Sequence, residues 1–430
     1  MPQFSVEINP EEIRNKLLNF SQQFDTCFFY DSNAELNIAS ALSYRSYDLL
    51  VALGTNKTIK FEAGQHFNNL ADFQNTNHTW LFGYLSYDLK NEIEDLFSHN
   101  EDLLALPLAH FIEPQLVIAI LGNKMEVIVI DKKLEEQKIA DALQSVSAQI
   151  DEFKHSCTIQ HQTSKENYIH TFEKLQQQIA YGNIYEVNYC IAFETEVHHQ
   201  NWIGLYSALN NISKAPFSAY VKVGQAVIIS ASPERFIKKE GKKLISQPIK
   251  GTAKRGQNAI EDEHQKNELH NNAKERSENV MITDLVRNDL SKHAARNSVQ
   301  VEELFGIYSF KQVHQMITTV TATLNDELNY MNAIKDAFPM GSMTGAPKIM
   351  AMQLIEQHEQ MKRGFYSGAL GYLDPNNNYD FNVLIRSIII NQTTSKAQFC
   401  VGSAITSQAN ANAEYEECLL KAEALFKVLL

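Results

Sequence analysis

Apolar residues in this chain come in short paired runs separated by turn residues. Leu116–Leu121 and the run from Met125 to Ile130 flank Gly122-Asn123-Lys124. Residues 367–373 and 379–391 flank Asp374-Pro-Asn-Asn-Asn378. Runs joined by so few residues pair antiparallel, because a parallel connection needs roughly a dozen residues or more. No regular strand–helix–strand rhythm runs along the chain. The pattern predicts an α/β protein of the α+β type, with antiparallel sheets flanked by helices, and not a doubly wound parallel sheet.

The segments between fill in this outline. Residues 132–150 have helical apolar spacing and end in the polar stretch 151–162, which divides the chain into regions 1–150 and 160–430. Thr163-Ser-Lys-Glu166 is a capping-box pattern, predicting a helix to about Tyr181 that Gly182 stops. Residues 221–230 read as one strand, 261–291 as one long helix, and 413–430 as an amphipathic C-terminal helix.

Composition narrows the function. The 430 residues carry a net charge of −13 without a dense Lys/Arg block, which argues against a nucleic-acid partner. The longest apolar runs fall far short of the ~20 residues a membrane span needs. Met1-Pro-Gln-Phe-Ser-Val-Glu7 has neither a basic flank nor an apolar core, predicting a cytoplasmic protein. Five scattered cysteines without ligand spacing read as buried small hydrophobes in a reducing compartment.

Several polar residues stand where chemistry is possible. Lys250, in Pro248-Ile-Lys-Gly-Thr252, has neighbours that cannot solvate an ammonium. It is a candidate desolvated nucleophile, the alternative being a solvated loop lysine. Glu234, in Ser232-Pro-Glu-Arg-Phe236, is a candidate general acid or base, or half of a salt bridge. Glu275 and Glu278 share a helix face, as do Glu414 and Glu417, with Lys421 one turn on. If those faces meet they form an all-oxygen site for a hard cation such as Mg²⁺. Arg386 reads as lying on a strand face with Asp380, Asn382 and Leu384, where it needs an anion: a bound carboxylate or a protein acid. Gly341-Ser-Met-Thr-Gly-Ala-Pro-Lys348 resembles an anion-holding turn but lacks Walker A spacing. His314 lies in a strand-like, half-apolar run, as a core residue or a catalyst.

In this order the motifs are specific. Gly83-Tyr-Leu-Ser-Tyr-Asp88, Gly182-Asn-Ile-Tyr-Glu-Val-Asn188, Ser232–Phe236 and Pro248–Thr252 are followed by the stretch from Glu278 to Asp289. Gly341–Lys348, Tyr366-Ser-Gly-Ala-Leu-Gly371 and Arg386 complete the series. The chain resembles the chorismate-utilising enzymes over essentially its whole length, most strongly from about Asn167 onward. The resemblance implies a two-domain fold of antiparallel sheets packed across each other with helices outside. It implies Mg²⁺ on Glu278 and Glu417, with Glu275 and Glu414 as supporting acids. Tyr366, Arg386, Lys421 and the backbone at Gly402 would hold carboxylates. Glu234 and His314 would stand near departing or attacking groups, and Thr252 near the ring.

By the same resemblance, Lys before Gly251-Thr252 marks the branch that aminates chorismate to 4-amino-4-deoxychorismate, toward para-aminobenzoate and folate; the anthranilate-forming branch usually carries Ala there. Ammonia would come from a separate glutamine amidotransferase subunit. Glu186 stands where the water-using branch has a Lys and the aminating branch mostly Gln. The family's Gly-Gly-Gly-Ile-Val is Gly402-Ser-Ala-Ile-Thr406 here, so Ser403 and Ala404 would narrow the carboxylate pocket. Phe28-Phe-Tyr-Asp-Ser32 only loosely matches the tryptophan-binding segment of regulated relatives. Two other readings stand beside the aminating one: an anthranilate synthase large subunit and a non-catalytic chorismate-binding paralogue.

Overall fold

The structure is a computed structural model, and it describes every residue except 1–2, 6–8, 35–43, 155, 199 and 326–327. Much of the N-terminal stretch read for a leader therefore lies outside the described residues. Among the described residues, twelve strands form one antiparallel sheet and ten form a second, with helices packed outside. The expected fold class is the observed one.

Central strands such as Leu49–Leu53, Leu81–Leu85 and Ala226–Ser232 are buried on both faces, which is why they read as continuous apolar runs. Successive side chains of a strand point to opposite faces. Phe29, Val51 and Ile118 enter a core shared with the outer helices. Their neighbours Phe28, Leu50 and Val117 enter a second core with Phe82, Tyr84 and Ile112 of the other sheet. A third core, including Phe236, Ile282 and Phe381, lies between the second sheet and its helices.

Each sheet draws strands from both sides of residues 151–162. Cys27–Asp31 pairs with Phe217–Val223 in the first sheet, and Leu81–Leu85 pairs with Ala369–Leu373 in the second. The stretch 151–162 therefore does not separate one sheet from the other.

Four local readings need correction. Residues 221–230 belong to a hairpin, Phe217–Val223 and Ala226–Ser232, turned at Gly224 with φ +55°. Residues 261–291 form two helices, Ala259–Asn271 and Ala273–Ser291. Asn272 breaks them, its side chain capping the second by accepting from the Glu275 N–H at 3.1 Å. The helix after residue 162 is Lys165–Ala180, capped by Ser164 and not Thr163. Residues 379–391 are two strands, Tyr379–Val383 and Ser387–Asn391, in different sheets. The hairpin at Leu116–Leu121 and the C-terminal helix, Ala411–Leu429, are as expected. All five cysteines are free and buried.

Candidate active site

The site forms where the chain changes sheets. Ala226–Ser232 lies in the first sheet and Arg235–Glu240 in the second, so Pro233 and Glu234 span the gap. The chain crosses back between Val383 and Ser387, with Arg386 at φ +51°. The crossings run side by side. The Val383 N–H donates to the Glu234 carbonyl at 3.0 Å, and the Ala231 N–H to the Arg386 carbonyl at 3.1 Å. Arg386 is thus not on a regular strand face. Its crossing frees the side chain to enter an open cleft, a cavity that Glu234, Lys250 and Gly402 also line.

Eleven of the twelve expected site residues line that cavity: Lys250, Glu234, Thr252, Tyr366, Arg386, Gly402, Lys421, Glu275, Glu278, Glu414 and Glu417. A β-bulge delivers Lys250. Ile249 pairs with Ile317 and Thr252 with Gln315, so the bulged strand has one residue more than its partner. Gly251 takes φ +92° there, and a Cβ on it would lie 3.0 Å from Glu275 Oε2. Gly402 is equally constrained: its Cβ would lie 2.7 Å from Asn188 Oδ1 and 3.1 Å from the Tyr366 hydroxyl. The Gly402 carbonyl accepts from Lys421 Nζ at 2.8 Å.

Burial and charge set the protonation states. Glu234 is 4 % exposed, and burial pushes it up to about 7 although Ser342 Oγ donates to its Oε1 at 2.5 Å. Burial also pushes Glu278 up to about 7, against the pull of Lys250 and Lys274, and raises Glu275 and Glu414. At Glu417 burial pushes upward, but the Lys421 ammonium 2.8 Å away prevails and the net shift is down. Arg386 is brought down to about 10 by burial, with Glu417 opposing. Among the described residues no carboxylate lies within 4 Å of its guanidinium, leaving it free to take a ligand's anion.

Lys250 differs from its sequence reading. Its Nζ is not isolated among apolar groups but donates to Glu186 Oε1 at 2.5 Å. Burial pulls its pKa down, yet Glu186 and Glu278 outweigh that and the net shift is up. At rest it is an ammonium.

The two acidic helix faces do meet, joined by a lysine. Lys274 Nζ lies 2.7 Å from Glu414 Oε1 and 3.5 Å from Glu278 Oε1. The donors are all carboxylate oxygens, the type Mg²⁺ takes, and burial is the main cause of the upward shifts of Glu275, Glu278 and Glu414. The donor chemistry suits the ion, and Lys274 is the cation that bridges two of these donors. In the arrangement described, no three acids among the described residues are grouped closely enough to hold it.

His314 is the expected site residue that stays out. Its ring contacts Ser309 Oγ at 2.8 Å and Asp262 Oδ1 at 3.0 Å, away from the cavity. Strand alternation is the reason: Gln315 pairs with Thr252 and lines the cavity, while His314 pairs with Ala253. The buried Gln315 Oε1 has no partner. Ser403 also faces away, toward the Tyr168 hydroxyl at 2.9 Å, so only Ala404 narrows the cavity. Lys348 is taken by Asp289 at 2.6 Å, so its turn contributes Ser342 to the site and not an anion-holding lysine. Sequence reasoning missed Gln315, Ser342 and Lys274 as parts of the site. Choosing Gln315 over His314 needs the cross-strand register against Thr252, and no local signal marks Ser342.

Known proteins carry the same architecture. A solved structure of anthranilate synthase component I from Streptococcus pneumoniae TIGR4 superposes with a TM-score of 0.77 at 24% identity, covering 88% of this chain and 91% of that one. Aminodeoxychorismate synthase component 1 of Escherichia coli (strain K12) is 37% identical over 268 residues, 62% of this chain. This chain spans 58% of that relative's length. Anthranilate synthase component 1 of Acetivibrio thermocellus is 32% identical over 371 residues, covering 81% of this chain and 74% of that one. Residues 25–427 match the family described as chorismate binding enzyme, and no helix among the described residues is long and apolar enough to cross a membrane. With cavity, fold and sequence in agreement, the chain belongs to the chorismate-binding enzyme family.

Proposed function

We propose that this chain aminates chorismate to 4-amino-4-deoxychorismate, with Mg²⁺ in the site and ammonia delivered by a separate glutamine amidotransferase subunit. The observation that carries the reading is Lys250, delivered by its bulge into the cavity that Glu234 and Glu278 also line. The name of the 37% identical relative supports it.

Arg386 and Lys421 supply positive charge for the substrate's carboxylates, and the close packing at Gly402 shapes their seat. Glu278 and Glu417, with Glu275 and Glu414, would hold Mg²⁺, which when bound offsets the acids and orients a substrate carboxylate. Glu234, pushed up to about 7 by burial, keeps its proton in about half of the molecules at neutral pH. Lys250 as the neutral amine attacks ring C2, the ring double bonds shift, and the C4 hydroxyl departs as water with the proton from Glu234. Ammonia then attacks C4 and the Lys250 amine leaves C2. The net change is chorismate plus ammonia to the amino product plus water.

Incubating Lys250→Ala and the parent chain with chorismate, Mg²⁺ and ammonium, then identifying products by mass, tests this. The variant should form aminodeoxychorismate far more slowly, and the parent without ammonia should carry an adduct of chorismate minus water on the Lys250 peptide. Unchanged rate and product in the variant, with no adduct on the parent, overturns the covalent route. The 32% identical relative, matched over more of its length, favours anthranilate formation as a second reading. Anthranilate as the parent chain's product would establish it.

A further inference from the structure

Glu186 opens the strand Glu186–Glu196, between Gly345–Ala346 on one side and Lys396–Thr406 on the other. It is 0% exposed. Its Oε1 accepts from Lys250 Nζ at 2.5 Å, while its buried Oε2 has no hydrogen-bond partner. A buried carboxylate with one idle oxygen is costly unless a charge compensates it, and Lys250 is that charge. Other charged groups face the pair from every side. The helix Ala273–Ser291 contributes Lys274, Glu275 and Glu278, the sheet crossing Glu234, and the C-terminal helix Glu417 and Lys421. Among the described residues, only Glu186 brings a carboxylate within 4 Å of Nζ.

We propose that Glu186 is a positioning residue that clamps Lys250 as an ammonium and so decides at which pH Lys250 presents a neutral amine to the substrate. The inference rests on the reading of Lys250 as nucleophile. The step it governs is loss of one Nζ proton to solvent base. That loss strands the Glu186 charge in the interior without its counterion, and the cost falls on forming the amine. It agrees in direction with the net upward shift of Lys250. A glutamine at 186 keeps the shape and an acceptor oxygen for Nζ but carries no charge to strand. Geometry and charge are therefore separable by one substitution.

The test labels lysines with acetic anhydride across a pH series and quantifies the Lys250 peptide by mass spectrometry, with exposed Lys138 as internal reference. Glu186→Gln should lower the Lys250 labelling midpoint by about one pH unit or more, a tenfold change in amine fraction, with Lys138 unmoved. Turnover at constant free ammonia should shift its acid limb in the same direction. An unchanged midpoint in the variant overturns the clamp. So does a Lys250 midpoint in the parent chain at or below that of Lys138, a comparison that needs no variant to fold. A labelling shift without a turnover shift upholds the clamp and instead removes Lys250 from the nucleophile's role.

Discussion

Replacing Glu234 by Gln should stabilise the protein while disabling it, and pH tells the two effects apart. The carboxyl is 4 % exposed and titrates near 7 in the folded chain against 4.5 for an unperturbed group. Between these values the folded chain keeps a proton that the unfolded chain has released. Stability therefore falls as pH rises through this window, and the penalty is complete only above the folded value. One pKa unit corresponds to about 1.4 kcal/mol, so ionised Glu234 costs the folded state about 3 kcal/mol at pH 8.5 and about 1 kcal/mol or less at pH 5. A glutamine escapes this cost and can still accept from Ser342, whose hydroxyl now donates to Glu234. Urea denaturation of parent and Glu234→Gln at both pH values reads the difference. The variant's advantage should grow from under about 1 to about 3 kcal/mol, while turnover falls about 10²–10⁴-fold through loss of the acid. Glu278 titrates in the same window but is present in both proteins, so it cancels. An advantage that does not grow between pH 5 and pH 8.5 would refute the assignment of Glu234 as a carboxyl whose charge is suppressed by burial.

Other substitutions separate roles in the same cavity. Lys274→Met removes the cation between Glu278 and Glu414, so it should melt lower than the parent in chelator and gain more from added Mg²⁺; an equal response to Mg²⁺ rules out competition between lysine and metal. Arg386→Gln should raise KM for chorismate about 10–100-fold with little change in melting temperature, because among the described residues no carboxylate lies within 4 Å of the guanidinium. Unchanged KM would remove it from the carboxylate seat. His314→Ala should lower melting temperature and leave kcat nearly intact, whereas Gln315→Ala should lower kcat and leave melting nearly intact. The reverse pattern would show that His314 acts in the reaction.

Local sequence determined whatever depends on neighbours along the chain. Short turns between apolar runs impose antiparallel pairing, and helical spacing puts Glu275 with Glu278 and Glu414 with Glu417 on common faces. The motif series was specific enough to name eleven residues that line the cavity. Where local rules were ambiguous, the reading failed. Asn272 interrupts a run whose polarity suits one helix as well as two. His314 and Gln315 sit on opposite faces of one strand, and choosing between them needs the register against Thr252. Tertiary structure alone decided the charge on Lys250 and the place of Arg386. Glu186 lies 64 residues before Lys250, and no periodicity links a strand start in the first sheet to a bulge in the second. Arg386 looks like part of one strand because the chain on either side of it is strand, but those strands belong to different sheets. Backbone pattern along the chain specifies strands and faces; which charges meet between two sheets depends on how the sheets pack, and that is set by the summed burial of residues far apart in sequence.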